Sequence, residues 1–340
     1  MVSPTGGRGV RRLYMALILL LAAALAVLVF AYSRVLSRDA EAPVTTAATE
    51  TPTGLAGEPT FLYEITAPVD RPFRPRNAAV SGALVYVADS EGQRVAVLDL
   101  AAGPGAELAF LPIAPDSLEQ TLPRDPQPTA VAVLADGSLL VADPANGRMW
   151  RVAPDGTFLG EFPTTEERER SELISPVGLT VAGGEVFVTD VGDQRVKVYS
   201  VAGAFLRLFG GEGFRPGLFS FPNGIVVDRD GLVYVADSNN KRVQIIGAGD
   251  SVVTVIQRTD TEEGLVLPRG VAFDRFGRLH VVDTFSQAVF VYGSDGEFVF
   301  AYGRGPGTQK RLTLPEGIAI TENRIVVSDG GGRRLVVYSY

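Results

Sequence analysis

The chain has 340 residues, 46% hydrophobic and 21% charged, with 38 glycines and 22 prolines, a profile of a turn-rich globular protein and not of a disordered or collagen-like chain. No cysteine and a single histidine exclude disulfides, thiolate nucleophiles, iron–sulfur ligation and any multi-histidine metal site, and no cofactor is expected. Thirty-nine acidic against 31 basic residues give a formal charge of −8, which repels a phosphate backbone unless basic residues cluster on one face, so nucleic acid is not an expected partner.

Residues 1–12 read as a short cytoplasmic tail. Leu13 to Tyr32 is an uncharged apolar run of 20 residues, which as a helix covers about 30 Å, the hydrocarbon thickness of a bilayer. Its length favours a retained signal anchor over a cleaved signal, although Val29-Phe30-Ala31 resembles a weak cleavage site. Arg8, Arg11 and Arg12 precede the run, whereas Arg34 and Arg38 follow it beside Asp39 and Glu41. The positive-inside bias therefore places the remainder of the chain outside the cytoplasm, on a single-pass cell-membrane protein. Residues 33–58, rich in Thr, Pro and Ala, have too little apolar content to fold and read as a flexible linker.

From residue 59 to 340 the chain repeats itself. An apolar strand ending in Asp recurs at Val85-Tyr-Val-Ala-Asp89, Leu139-Leu-Val-Ala-Asp143, Val186-Phe-Val-Thr-Asp190, Val233-Tyr-Val-Ala-Asp237, Leu279-His-Val-Val-Asp283 and Ile325-Val-Val-Ser-Asp329, at intervals of 54, 47, 47, 46 and 46 residues. Each unit parses into four short strands of period two, separated by turn residues such as Asp136-Gly137, Asp155-Gly156, Asp230-Gly231 and Asp295-Gly296. A four-stranded sheet cannot bury both faces alone, so six units predict an all-β fold: a six-bladed β-propeller. The last unit stops after its third strand at Tyr340. Phe61-Leu-Tyr-Glu-Ile65 resembles the outer strands Phe205-Leu-Arg-Leu-Phe209 and Phe158-Leu-Gly-Glu-Phe162, so strand 61–65 is expected to close the ring. A Pro-rich, acidic insertion, about 112–127, precedes the second unit, and the loop 163–175 carries Glu166-Glu-Arg-Glu-Arg170.

The segment Phe209-Gly-Gly-Glu-Gly-Phe-Arg-Pro-Gly-Leu-Phe-Ser-Phe-Pro-Asn-Gly-Ile-Val-Val-Asp228 resembles the inter-blade signature of NHL repeats, and the likeness extends over residues 59–340. That resemblance implies a six-bladed, TolB-like propeller. Among NHL relatives are bacterial sensor domains, ubiquitin-ligase substrate modules and RNA binders. The acidic balance argues against the last, and the lack of RING-like cysteines against the second. Six-bladed amidating lyases hold zinc with several histidines, which this chain cannot supply, and calcium-dependent lactonases need several converging carboxylates and amides, for which Asn223 and Glu316 are a thin set.

Two further patterns bear on function. An Arg follows the repeated Asp by five residues in Asp89/Arg94, Asp143/Arg148, Asp190/Arg195, Asp237/Arg242 and Asp329/Arg334, but not after Asp283, where Ala288 stands. Such spacing across a turn predicts structural ion pairs, with Asp283 satisfied differently. His280 occupies a packing register. Secondly, the residues after each inter-blade proline, Arg76, Thr129, Val177, Asn223, Arg269 and Glu316, are expected to ring one mouth of the central channel, and all but Val177 are ligand-binding candidates there.

No nucleophile–base pair stands out, and no residue is assigned a catalytic or metal-binding role. The expected function is a membrane-anchored extracytoplasmic binding or scaffold module for a protein, a peptide or a cell-envelope glycan. The rival is a propeller hydrolase or lyase acting on a small polar ligand at the channel mouth. An enzyme predicts Asn223 and Glu316 converging in a deep pocket; a scaffold predicts an open channel and exposed Phe214, Leu218 and Phe285.

Overall fold

The computed structural model describes residues 57–119, 121–163, 172–257, 264–304 and 311–340. The anchor, the linker up to residue 56 and Glu166 to Arg170 lie outside them. Among the described residues no helix is long and apolar enough to cross a membrane.

Six four-stranded antiparallel sheets make up the fold. After β1 (Thr60–Thr66), blade one comprises β2 (Pro75–Ser81), β3 (Leu84–Asp89), β4 (Arg94–Asp99) and β5 (Ala109–Pro112). Blade two is β6 (Ala130–Val133), β7 (Leu139–Asp143), β8 (Arg148–Val152) and β9 (Phe158–Phe162). Blade three is β10 (Pro176–Ala182), β11 (Glu185–Asp190), β12 (Arg195–Ser200) and β13 (Phe205–Gly210). Blade four is β14 (Pro222–Val227), β15 (Val233–Asp237), β16 (Arg242–Ile246) and β17 (Val252–Gln257). Blade five is β18 (Pro268–Phe273), β19 (Leu279–Asp283), β20 (Ala288–Tyr292) and β21 (Phe298–Tyr302). Blade six has β22 (Pro315–Ile320), β23 (Arg324–Asp329) and β24 (Arg334–Ser339), and β1 is its fourth strand.

The ring closes as the sequence predicts: Thr60 pairs with Ser339 and Thr66 with Arg334. Arg334 also donates to Glu64 Oε2 at 2.5 Å, a charge-assisted bond across the closure. The insertion before blade two packs onto the propeller in its described part. It contains a helical turn, Asp116–Glu119, and packs Leu118 and Leu122 against a core that includes fully buried Ile113 and Trp150.

The buried side chains divide into six clusters, and each cluster joins two consecutive blades. Tyr86 and Val95 of blade one meet Val131 and Trp150 of blade two, for example, and Val291 and Tyr302 of blade five meet Val336 and Tyr338 of blade six. This is why a single blade would not fold alone: its apolar faces are buried only by its neighbours.

The repeated aspartates are fully buried in all six blades. In every blade the carboxylate accepts backbone N–H groups from the segment entering the inner strand: Arg74 at 2.8 Å for Asp89, Gln127 at 3.0 Å for Asp143, Ile174 and Ser175 at 2.8 Å for Asp190, and Ser220 at 2.7 Å for Asp237. Asp283 takes Val266 at 2.6 Å and Leu267 at 2.9 Å, and Asp329 takes Thr313 at 3.0 Å and Leu314 at 2.9 Å. The Asp–Arg contact is less regular than its spacing. Arg94, Arg242 and Arg334 reach their aspartates at 3.0, 2.8 and 3.0 Å. Arg148 turns to Glu161, and Asp143 takes the Trp150 indole N–H at 3.2 Å instead. Arg195 lies 4.0 Å from Asp193, and buried Lys197 occupies Asp190 at 2.8 Å. The donor can come from either of two positions on the third strand, five or seven residues after the Asp.

Candidate functional site

Each inner strand starts at its proline on one end of the channel and runs to the other. The inter-blade loops and the turns between second and third strands therefore share the end where the inner strands begin, the mouth face. The turns between first and second strands lie on the opposite, turn face. Gly178, Gly224, Gly270 and Gly317 sit two residues after the inner-strand prolines of blades three to six, and a Cβ there would collide with the next blade's inner-strand backbone. Only glycine permits so close an approach, which narrows the channel just inside its mouth.

Arg76, Thr129, Val177, Asn223, Arg269 and Glu316, the ring expected from the sequence, all line this opening, whose volume is about 80 Å³. Below it the channel widens to about 240 Å³ and is walled by the inner strands, whose Val131, Leu179 and Ile225 side chains are buried in the cores between blades. The polar members of the ring do not converge on one point. Asn223 gives its amide to Ser238 Oγ at 2.7 Å and to the Phe221 carbonyl at 2.9 Å. Thr129 leans on the Pro176 carbonyl at 3.5 Å. Glu316, only 9% exposed, is held by Arg76, by Arg74 at 3.4 Å and by Arg269 at 3.4 Å.

Three guanidinium groups thus share one carboxylate. The Nε atoms of Arg76 and Arg269 are buried without a protein acceptor. Burial pushes the Arg269 guanidinium below its usual value, opposed by Glu316 and reinforced by the positive charges of Arg76 and Arg74. Arg74 escaped the sequence reading because it precedes the inner-strand proline; the paired Arg74-Pro75-Arg76 was the available signal. A groove of about 470 Å³ adjoins the opening between blades six and one, lined by Arg74, Ser90, Glu91, Gln127, Gly330 and Arg333. Arg333 and Glu91 pair across it at 3.1 Å.

A second polar cluster lies between blades five and six near the turn face. His280 is buried as its register predicts, but its contacts are polar as well as apolar. Nδ1 meets the Tyr302 hydroxyl at 3.0 Å, and Nε2 lies 3.2 Å from both Asp274 Oδ2 and the Tyr340 hydroxyl. Arg278 donates to Asp274 at 2.6 Å and to the Gly57 carbonyl at 2.9 Å, pinning the point where the N-terminal strand enters. Burial would raise the Asp274 carboxyl, but hydrogen bonds from His280 and Arg278 outweigh it and hold it well below the usual range. Burial pushes the His280 imidazole down, against the pull of Asp274. Among the described residues no group of three His, Asp or Glu side chains is placed to hold a metal ion.

The NHL repeat family model matches residues 219–246, which are the inter-blade entry and first three strands of blade four. The chain carries an NHL repeat within its six-bladed propeller. A stretch of 130 residues, 37% of the chain, is 28% identical to the protein brain tumor of Drosophila melanogaster, and covers 12% of that much longer protein. Solved structures share the fold at lower identity. Virginiamycin B lyase from Staphylococcus aureus superposes with a TM-score of 0.56 and 15% identity, over 83% of this chain and all of that one. A gluconolactonase from Xanthomonas campestris gives 0.55 and 17%, over 79% of this chain and 87% of its own.

Proposed function

We propose that this propeller is a binding or scaffold module that presents its mouth face to a protein or peptide partner. The carrying observation is where exposed apolar side chains lie. Val69, Ile174, Phe214, Phe221, Val266, Phe285 and Leu314 are all exposed on inter-blade loops or second-to-third-strand turns, with Phe214 at 77% and Phe285 at 65%. Leu218, expected among them, instead folds against Gly213 and is half-buried. On the turn face the comparable residues are Phe276 and Val201. Exposed aromatic side chains gathered on one face are the kind of anchors that protein-recognition surfaces use.

The hydrolase or lyase reading has weaker support. Solved neighbours of that kind share the fold at 15–17% identity, and fold alone does not carry chemistry. The two side chains that reading needs are engaged elsewhere, Asn223 by Ser238 and Glu316 by arginines. An opening of about 80 Å³ is also well below the 300 Å³ or so of small-molecule sites. In the binding-module reading residues 13–32 anchor the module in the cell membrane with the propeller outside, supported by the apolar run and its flanking arginines.

The test is site-specific photo-crosslinking in the producing cell, with a benzophenone side chain at Phe214 or Phe285 and, for contrast, at Phe276 or Leu206. Discrete protein adducts from the mouth-face positions alone are expected. Adducts from the turn face or the rim only, or none from Phe214 and Phe285, overturn the reading.

A further inference from the structure

The opening and the groove beside it hold Arg74, Arg76, Arg269 and Arg333 against Glu91 and Glu316, leaving two positive charges on a chain whose formal charge is −8. Elsewhere the buried carboxylates saturate their cations. Asp237, for instance, holds Arg242 Nε at 2.8 Å, and Nη2 of that arginine donates to the carbonyls of Arg215 and Leu218 at 3.1 and 3.0 Å. At the mouth the ratio is reversed: three cations press on one anion, and the side chains of Arg74, Arg76 and Arg269 stay 50%, 22% and 32% exposed, so guanidinium surface remains accessible there. An arrangement of this kind is completed by a second anion, and guanidinium forks suit a planar carboxylate.

Size narrows the choice. An opening of about 80 Å³ is several times smaller than the 300 Å³ or so of small-molecule sites, which suits a single carboxylate group better than a sugar ring or nucleotide. The groove of about 470 Å³ is large enough for a few residues of extended chain, and its floor includes the side-chain-free Gly330 and Gly331.

We propose that the opening bounded by Arg76, Arg269 and Glu316 is a carboxylate-recognition site that takes one acidic group of an extended peptide lying along the groove of Arg74 and Arg333. This rests on the mouth face being the binding surface. The group is an Asp or Glu side chain or a free C-terminal carboxylate, and the experiment separates them.

Fluorescence anisotropy of the full chain is measured with three labelled dodecapeptides: alternating Glu and Gly with an amidated C-terminus, the same with Gln for Glu, and the Gln peptide with a free C-terminus. Binding of the Glu amide at least about ten-fold tighter than the Gln amide assigns a side-chain carboxylate. Tight binding of only the free-acid Gln peptide assigns the terminus. Arg269→Ala and Arg76→Ala should each weaken the preferred peptide about ten-fold, and Glu316→Gln, which frees the arginines, should tighten it about three-fold. Equal binding of all three peptides, indifference to the arginine variants, or tighter binding of an oligouridylate of equal charge overturns the proposal. Should an arginine variant not fold, Glu316→Gln decides: tightening supports the site, and no change or weakening overturns it. Crosslinks that persist at Phe214 and Phe285 while no acidic peptide binds would sink this site and leave the mouth face as the docking surface.

Discussion

Glu316 at the mouth and Asp274 near the turn face are both carboxylates almost wholly removed from solvent, yet they are surrounded in opposite ways. Asp274 receives two backbone N–H groups at 2.8 and 2.9 Å, from Phe276 and Arg278, together with the Arg278 side chain, the His280 ring and the Tyr340 hydroxyl. One fixed cation meets one anion, every carboxylate oxygen has donors, and the cluster draws together blades five and six and the entering N-terminal strand. Glu316 meets three guanidinium groups, two of them through contacts of 3.4 Å, with donors left over. A saturated cluster contributes to stability; an unsaturated one leaves charge for a ligand.

The largest effect should come from the saturated side. Asp274→Ala strands Arg278 and His280 in the interior and should lower unfolding free energy by about 3–5 kcal/mol in urea titrations. A loss under about 1 kcal/mol would mean that the cluster is not holding the blades. Glu316→Gln should cost less, about 1 kcal/mol, because its arginines are partly exposed, and added orthophosphate should restore more stability in the variant than in the parent. A parent and variant equally insensitive to phosphate would erase the contrast between the two clusters.

Next in size is a pH effect. The folded His280 pKa lies below its unfolded value near 6.5, so the unfolded chain takes up a proton that the folded one refuses. Stability is therefore full above about pH 6.5 and falls as pH drops through that value toward the folded pKa, by at most about 1.4 kcal/mol per pH unit. Asp274 adds a separate loss below the ordinary carboxylate pKa, since its folded value is depressed. Thermal melts between pH 7.5 and 5 should show the first slope, and His280→Gln should flatten it. Smallest of all, Phe214→Ser and Phe285→Ser should change stability by no more than about 0.5 kcal/mol while removing mouth-face crosslinks made from neighbouring positions.

The scaffold of the molecule was legible because its rules are local. Period-two strands, Asp-Gly turns and the recurrent Asp counted the blades, and the likeness of 61–65 to outer strands located the closure, found at Thr60–Thr66. The ring at the mouth was legible for the same reason, since a proline marks where each inner strand begins. What pairs with what was not. The repeated aspartates mainly hold backbone N–H groups about sixteen residues upstream, and a backbone donor leaves no trace in residue type. The cation at Asp190 comes from Lys197 and not Arg195, because alternate residues of one strand project to the same side. His280 could be seen to be buried, but its partners come from a turn, an outer strand and the last residue of blade six.

The pairing of β1 with β24 has a mechanical side. Thr60 and Ser339 are opposite one another, so Gly57 and Tyr340 leave from the same end of this antiparallel pair, on the turn face. Tension applied between those two points would peel the strands apart rung by rung, whereas a load between Gly57 and the far end of β24 would shear all the rungs together. The molecule should thus resist a pull transmitted through a partner seated on the mouth better than one applied across its own seam.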